Sequence, residues 1–439
     1  MSEYFSGISA IRFQGPDTKD PLSFAVYDPE RVVLGKKMKE WLRFSVCYWH
    51  TFRGTGADPF GAATLHRPWE DGSNSIENAK RRLSAAFEFM SKLGVEYWTF
   101  HDRDIAPEGK SLEESNAILD EIVEHALALQ KKYGIKLLWG TQNLFSHPRY
   151  ANGALTNPDA HVFAFAAAQV KKVMEITHRL GGENLVFWGG REGYQSILNS
   201  DPKRELDHMA ALFRMVVEYK KKLGASFQLL IEPKPREPMK HQYDYDAQTV
   251  IGFLKSYPPL AEHFKLNIEP NHTTLAGHDF EHDIIFASRF GMLGSIDSNT
   301  GDPLLGWDTD QFPMDVKKTT LVMKTVIEQN GLAPGGLNFD CKVRRESTDV
   351  EDLFIAHIGA MDAFASGLVQ AAKIIEEGTL SRMVRERYSS FDSGLGKRIE
   401  DGVTSLEECE AFVKEHGEPK IQSGKQELFE MLFNRSLRH

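Results

Sequence analysis

Eight short β-prone runs recur along this chain, and longer stretches with helical periodicity lie between them. The runs fall near 44–49 (FSVCYW), 95–100 (VEYWTF), 135–140 (IKLLWG), 184–188 (NLVFW), 227–232 (FQLLIE), 265–269 (KLNIE), 293–297 (LGSID) and 336–340 (GLNFD). Helical examples are 75–93, 112–133, 158–180 and 204–223, and they stop near Gly94, Gly134, Gly181 and Gly224, the expected helix terminator. Strand–helix alternation calls for a parallel sheet, because a crossover must carry the chain back before the next strand can pair. Eight such units predict an α/β fold, a closed (β/α)₈ barrel. An open doubly wound sheet is the alternative, but its usual Gly-rich turn, GxGxxG, is absent after the first strand. The expected division is 1–385, a barrel catalytic domain with an N-terminal extension, and 386–439, a C-terminal helical and loop arm. The arm reads as a loop (SSFDSGLGKRIEDG) with two short helical candidates, one of them opened by a capping box from Ser405 to Glu408. It is too polar to build its own core and is expected to wrap the barrel or a neighbouring subunit.

Four of the runs end on a carboxylate. QLLIEPK carries Glu232, KLNIEPNH carries Glu269 and His272, LGSIDSN carries Asp297, and LNFDCK carries Asp340. WDTD adds Asp308 and Asp310, two residues apart, so both can face one cation from an extended loop. The strands of a barrel present their functional side chains at their C-terminal ends. Six carboxylates and one imidazole at one rim would repel unless cations sat among them. Any single acid could instead cap the following helix; helix capping does not require all of them on one face. The donor set, oxygens plus one nitrogen, suits Mg²⁺, Mn²⁺ or Co²⁺ better than a thiolate-loving metal.

Other rim residues fit the same pocket. In HDRD, His101 follows a strand and Asp104 is within reach of its ring, an acid–base arrangement, although a lone strand-end histidine beside a surface acid would read the same way. Trp49, Phe100, Trp139 and Trp188 fall at or next to strand ends, where flat apolar walls could hold the C–H faces of a sugar or simply fill the core. Lys234, two residues past Glu232, could hold negative charge developing on a substrate oxygen.

The totals exclude some classes. A net charge of −10 argues against a nucleic-acid or anionic-membrane partner, which needs clustered Lys and Arg. A nuclease on a similar barrel would want more ligand histidines and a basic rim. Cys47, Cys341 and Cys409 are odd in number and scattered, so a disulfide framework is not expected. No secretory pattern opens the sequence and no apolar run approaches the ~20 residues of a membrane helix, so a cytoplasmic location is expected.

Taken together in order and spacing, YWHTFRGTGADPFG (48–61), YWTFHDRDIAPEG (97–109), FWGGREGY (187–194), IEPKPREPMKHQYDYD (231–246), NIEPNHTTLAGHDFEHD (267–283), GSIDSNTGDPLLGWDTDQFP (294–313) and LNFDCKVRRES (338–347) resemble the xylose isomerases, in their longer class with an N-terminal extension. The resemblance runs from about Tyr4 to the C-terminal helices. It implies a tetrameric (β/α)₈ enzyme with two divalent cations per subunit, converting D-xylose to D-xylulose, and D-glucose to D-fructose as a side activity, by a 1,2-hydride shift on the open-chain sugar. One cation would be held by Glu232, Glu269, Asp297 and Asp340, the other by Glu269, His272, Asp308 and Asp310. His101, oriented by Asp104, would open the ring, and Lys234 would contact O1. Trp49, Trp188 and a neighbouring subunit's equivalent of Phe60 would wall the sugar, with Thr141 close by. Departures from the family pattern fall elsewhere, in the loop RYANGALTNPDA (149–160) and at Cys341.

Overall fold

The computed structural model describes residues 3–437. Eight parallel strands close into a barrel in chain order: β1 Phe44–Cys47, β2 Tyr97–His101, β3 Lys136–Thr141, β4 Asn184–Trp188, β5 Gln228–Glu232, β6 Phe264–Ile268, β7 Leu293–Asp297 and β8 Leu337–Phe339. Closure is made by β8 on β1, with Phe339 opposite Val46. All eight expected strands are present, most of them displaced by a residue or so at their ends.

Outside the barrel run α1 Ile76–Leu93, α2 Leu112–Tyr133, α3 Ala160–Arg179, α4 Pro202–Leu223, α5 Ala247–Ser256, α6 His282–Arg289, α7 Val316–Glu328 and α8 Val350–Glu377. Side-chain caps explain where several begin. Ser75, Ser111, Asp159, Asp201 and Asp246 each accept a hydrogen bond from a backbone N–H of the first turn. Gly94, Gly134 and Gly224 end α1, α2 and α4 in the left-handed conformation, at φ 81°, 71° and 66°.

The N-terminal extension has no sequence period because little of it is regular. Its anchor is Asp362 of α8, whose carboxylate accepts from the backbone N–H groups of Ala25, Val26 and Tyr27 at 2.7–2.9 Å. Phe5, Phe24 and Tyr27 are buried in the same core. Helix α8 is, among the described residues, the one helix long and apolar enough to cross a membrane, and 61% of that stretch is buried within the protein.

Two expectations need correction. The first run is expected from sequence to be extended through Trp49, but the strand ends at Cys47 and Trp49–Arg53 form a π-helical turn. Such turns are rare and concentrate at functional sites. In the C-terminal arm, the expected loop holds a helix, Gly394–Glu400, so three helices lie beyond residue 393, with Leu406–His416 and Gln426–Ser436. The capping box at Ser405 and Glu408 is formed as expected. Most of the arm is exposed, including Leu406, Val413 and Ile421, while Phe433 is buried.

Candidate active site

Register brings the rim residues to one level. His101 at the end of β2 lies beside Thr141 at the end of β3, and Trp188 ending β4 lies beside Glu232 ending β5. They open onto a cavity of about 270 Å³ at the C-terminal mouth of the barrel. Trp49, Trp139, Phe145 and Trp188 wall it, and Glu232, Glu269, His272, Asp308, Asp310 and Asp340 line it with His101 and Thr141.

The acids gather around Glu269. Ligand atoms lie within 4.8 Å of one another in three overlapping groups: Glu232, Glu269 and His272; Glu269, Asp308 and Asp310; Glu269, Asp297 and Asp340. Glu269 belongs to all three. Oxygen ligands around a small divalent ion at ~2.1 Å stand roughly 3–4 Å apart, so these groups are near binding dimensions. His272 is preset for the same task. Its Nδ1 lies 2.9 Å from the Pro233 carbonyl, which fixes the donor there and leaves Nε2 as a ligand atom, 3.1 Å from Glu269 Oε2.

Buried amides hold the carboxylates in place. Asn267 Nδ2 donates to Glu232 Oε2 at 2.8 Å and to Asp297 Oδ2 at 2.9 Å, and Asn338 Nδ2 donates to Asp297 Oδ1 at 2.8 Å. Asn299 Nδ2 reaches Glu269 Oε1 at 2.7 Å, Asp310 Oδ1 at 3.2 Å and the Asp340 carbonyl at 3.0 Å. Asn271 donates to Asp308 and Asp310. Sequence reasoning missed all four, although they carry a signal. Asn267 and Asn338 stand on strands two residues before an acid, which puts each on the side of that carboxylate, while Asn271, in the helical turn Pro270–Leu275, and Asn299 stand two residues after one.

Cations of the protein cover only part of this charge. Lys234, buried, makes a short ion pair with Asp308 and lies 3.1 Å from His272 Nε2. Lys342 Nζ is 2.9 Å from Asp310 Oδ2. His50, also missed at the sequence level, places Nε2 3.2 Å from both Asp310 Oδ2 and Asp340 Oδ1, and Trp49 Nε1 donates to Asp340 Oδ1 at 2.9 Å. Burial opposes ionisation of Asp308 and Asp310, yet Lys234 and His272 beside the one, and Lys342 and His50 beside the other, hold both below the usual carboxylate range. Glu232, Glu269 and Asp340 have too few cationic partners. Burial first, then neighbouring carboxylates, pushes them well up, and burial raises Asp297 to about 6. A set of acids that resists ionising together, with amides fixing its oxygens, fits divalent cations on the chemistry of its donors.

Asp310 has left-handed backbone, φ 44°, an arrangement costing a non-glycine residue ~1–3 kcal/mol. It is held there by Lys342 N–H on its carbonyl at 2.9 Å and by Arg344, which donates to the carbonyls of Thr309, Asp310 and Lys342.

Across the cavity, His101 Nδ1 lies 3.0 Å from Asp104 Oδ2. The contact is close but poorly aligned: Nδ1 meets no partner within hydrogen-bond angles. Catalytic hydrogen bonds are often loose before substrate arrives. Trp49 packs edge-on to His101 with centroids 4.3 Å apart, and Phe145 stands edge-on to both His101 and Trp188. Thr141 Oγ1 donates to the Val186 carbonyl at 2.7 Å.

One expected wall residue lies elsewhere. Phe100 is one residue out of phase with His101, so strand alternation turns it outward, where it stacks near Trp98 in the core between barrel and helices. Phe145 is the aromatic on that side of the cavity. Phe60 is 80% exposed, with its ring 5.4 Å from that of Trp307, and does not line its own barrel's cavity. The unusual loop at 149–160 is tied down by Glu192, a buried carboxylate that accepts from the backbone N–H groups of Ala154, Leu155 and Thr156.

Fold and site define the class: a (β/α)₈ barrel whose rim carries a carboxylate-rich centre suited to divalent cations, facing a histidine–carboxylate pair. Residues 87–303 match the family described as xylose isomerase-like TIM barrel, and residues 384–437 match the XylA2 C-terminal domain. The chain is 60% identical to a xylose isomerase of Arabidopsis thaliana over 437 residues, covering 100% of this chain and 91% of the relative. It is 58% identical to one of Hordeum vulgare, covering 99% and 91%, and 54% identical to one of Thermotoga maritima, covering 99% and 98%. The chain belongs to the xylose isomerase family.

Proposed function

We propose that the protein interconverts D-xylose and D-xylulose, with D-glucose and D-fructose as a second pair, by moving hydrogen between C1 and C2 of the open-chain sugar. The observation that carries this reading is the Glu269-centred acid cluster facing His101 across one aromatic-walled cavity. Two divalent cations, Mg²⁺, Mn²⁺ or Co²⁺, are assigned to the cluster, one on Glu232, Glu269, Asp297 and Asp340 and one on Glu269, His272, Asp308 and Asp310; when bound they polarise the sugar oxygens as Lewis acids and fix the sugar's orientation.

The side chains supply the rest. Asp104 beside Nδ1 sets the tautomer of His101 and leaves Nε2 as the base. That nitrogen takes the anomeric hydroxyl proton and returns one to the ring oxygen as the ring opens. Lys234 donates to O1, where negative charge gathers as hydride leaves C2 for C1; O2 loses its proton and O1 gains one. Trp49, Trp139, Phe145 and Trp188 exclude water from the path, which favours direct transfer over exchange.

Phe60 and the arm are assigned between subunits of a tetramer. A phenylalanine 80% exposed on a loop leaves apolar surface that water disfavours, and docking over a neighbour's cavity would remove it. Residues 386–439 expose Leu406, Val413 and Ile421, which suits a segment laid on another copy. A cytoplasmic location completes the proposal. The test incubates the protein with xylose after EDTA treatment and after return of Mg²⁺, Mn²⁺ or Co²⁺. Ketose should form only with the cation, and ketose from a verified cation-free sample would reject the assignment.

A further inference from the structure

We propose that Arg53 is a positioning residue for ring opening: it clamps the turn that carries Asp104, and so sets the contact between Asp104 and His101. The inference rests on the proposed function and adds to it a residue outside the cavity.

At the end of β2 the chain makes a single helical turn, Asp102–Ile105, with His101 at its N-terminus and Asp104 within it. Four residues hold each other weakly, since a turn this short leaves most of its carbonyls without helical partners. Its beginning is secured from inside. Asp102 is fully buried, and its carboxylate accepts from the N–H groups of Arg103 at 2.9 Å and Asn143 at 2.8 Å and from Gln169 Nε2 at 2.8 Å. The end of the turn is secured by Arg53. One guanidinium nitrogen, Nη1, donates to the carbonyls of Arg103 at 3.2 Å and Asp104 at 3.3 Å and stands 3.6 Å from Asp104 Oδ1. An arginine at the last carbonyls of a helical turn satisfies orphan acceptors and complements their partial negative charge.

Arg53 itself is the last residue of the π-helical turn after β1, the turn that also places Trp49 against His101. The extra residue of a π turn rotates the positions beyond it, and here that brings the guanidinium to the Asp104 turn. One irregular element therefore presents a wall residue to His101 and a clamp to the turn that carries its carboxylate partner. The contact that the clamp controls is close but angularly unfinished, 3.0 Å with the carboxylate off the N–H line, so a small movement of the turn changes it. Arg53 also adds positive charge beside a carboxylate that must stay ionised to orient the ring.

A residue that acts only through His101 should matter only when a ring has to be opened. D-glyceraldehyde is an aldose too short to close into a furanose or pyranose ring, and its isomerisation to dihydroxyacetone needs the same hydrogen transfer without that step. The experiment compares kcat/KM for D-xylose and D-glyceraldehyde in the cation-loaded wild type, Arg53→Met and Arg53→Lys. Arg53→Met should lower the xylose value about 10–100-fold while the glyceraldehyde value stays within about twofold; Arg53→Lys, keeping the charge with fewer donors, should recover part of the xylose loss. Equal losses on both substrates, or an unchanged xylose value, would overturn the proposal. If Arg53→Met does not accumulate, Arg53→Gln against Arg53→Lys reads the same split. A wild type that converts neither sugar would instead overturn the proposed function, so the two failures are distinct.

Discussion

Asn299→Ala tests whether the amide scaffold, and not the carboxylates alone, makes the cation centre. The wild-type amide donates to Glu269 and Asp310, both in the proposed ligand set, and to the Asp340 carbonyl, while its own oxygen accepts from Asn271 N–H at 3.1 Å. Glu269 sits in all three ligand groups, so loosening its Oε1 should disturb the whole centre. Loss of such a supporting partner typically weakens cation affinity ~10–100-fold, or about 1.4–2.7 kcal/mol. The readout is the cation-dependent gain in unfolding free energy. At a cation concentration of ~100 times the wild-type Kd the gain is about 2.7 kcal/mol, and a Kd weakened ~30-fold reduces it to about 0.9 kcal/mol. Denaturant unfolding with and without Mg²⁺ or Mn²⁺ measures the difference for each variant, which separates cation binding from any loss in the cation-free protein. An Asn299→Ala protein with the full wild-type gain would refute the claim that this amide holds ligands in place.

The same cluster sets two further outcomes. Asp308→Asn with Asp310→Asn should abolish turnover and leave a folded protein with about one cation per subunit by elemental analysis, because the other group of acids is untouched; loss of both cations would contradict the division into two sites. In cation-free protein the raised carboxylates should add stability as pH falls from about 7.5 to 5.5, partly offset by His125, His272 and His357, whose imidazoles burial holds neutral. Asp297 in the folded state titrates near 6, and Glu232, Glu269 and Asp340 are also raised by burial, so their neutral forms are favoured by folding and that contribution is lost as pH rises through the folded values. With saturating Mg²⁺ the trend should reverse, because cations bind the ionised carboxylates; melting curves at several pH values, with EDTA or with Mg²⁺, check both signs.

Barrel chemistry is written in short local patterns, which made much of the site legible in the sequence. A β-run ending in an acid specifies both the element and the side of the barrel on which the acid emerges, so Glu232, Asp297 and Asp340 could be placed from sequence. His101 and Trp188 were placed the same way. The illegible part depends on how the backbone turns after the strand. Trp49 reads as a strand continuation, and only the π turn shows that it swings over His101. Phe100 and His101 are both near the rim, but alternation sends just one inward, and an end uncertain by one residue hides which. His50 and Phe145 enter the site from irregular segments, where neither period nor propensity fixes direction. The asparagines lay in plain view at fixed offsets from the acids. A neutral amide carries no charge signal, so they go unread until the carboxylates they support are seen together.

In the proposed reaction hydrogen moves within the sugar, directly between C2 and C1. D-xylose deuterated at C2, converted in ordinary water by the cation-loaded protein and analysed by NMR in the first turnovers, tests it most directly. D-xylulose should retain its deuterium at C1. Xylulose that has exchanged most of the label with solvent would contradict it and would require a base over C2 in place of direct hydride transfer.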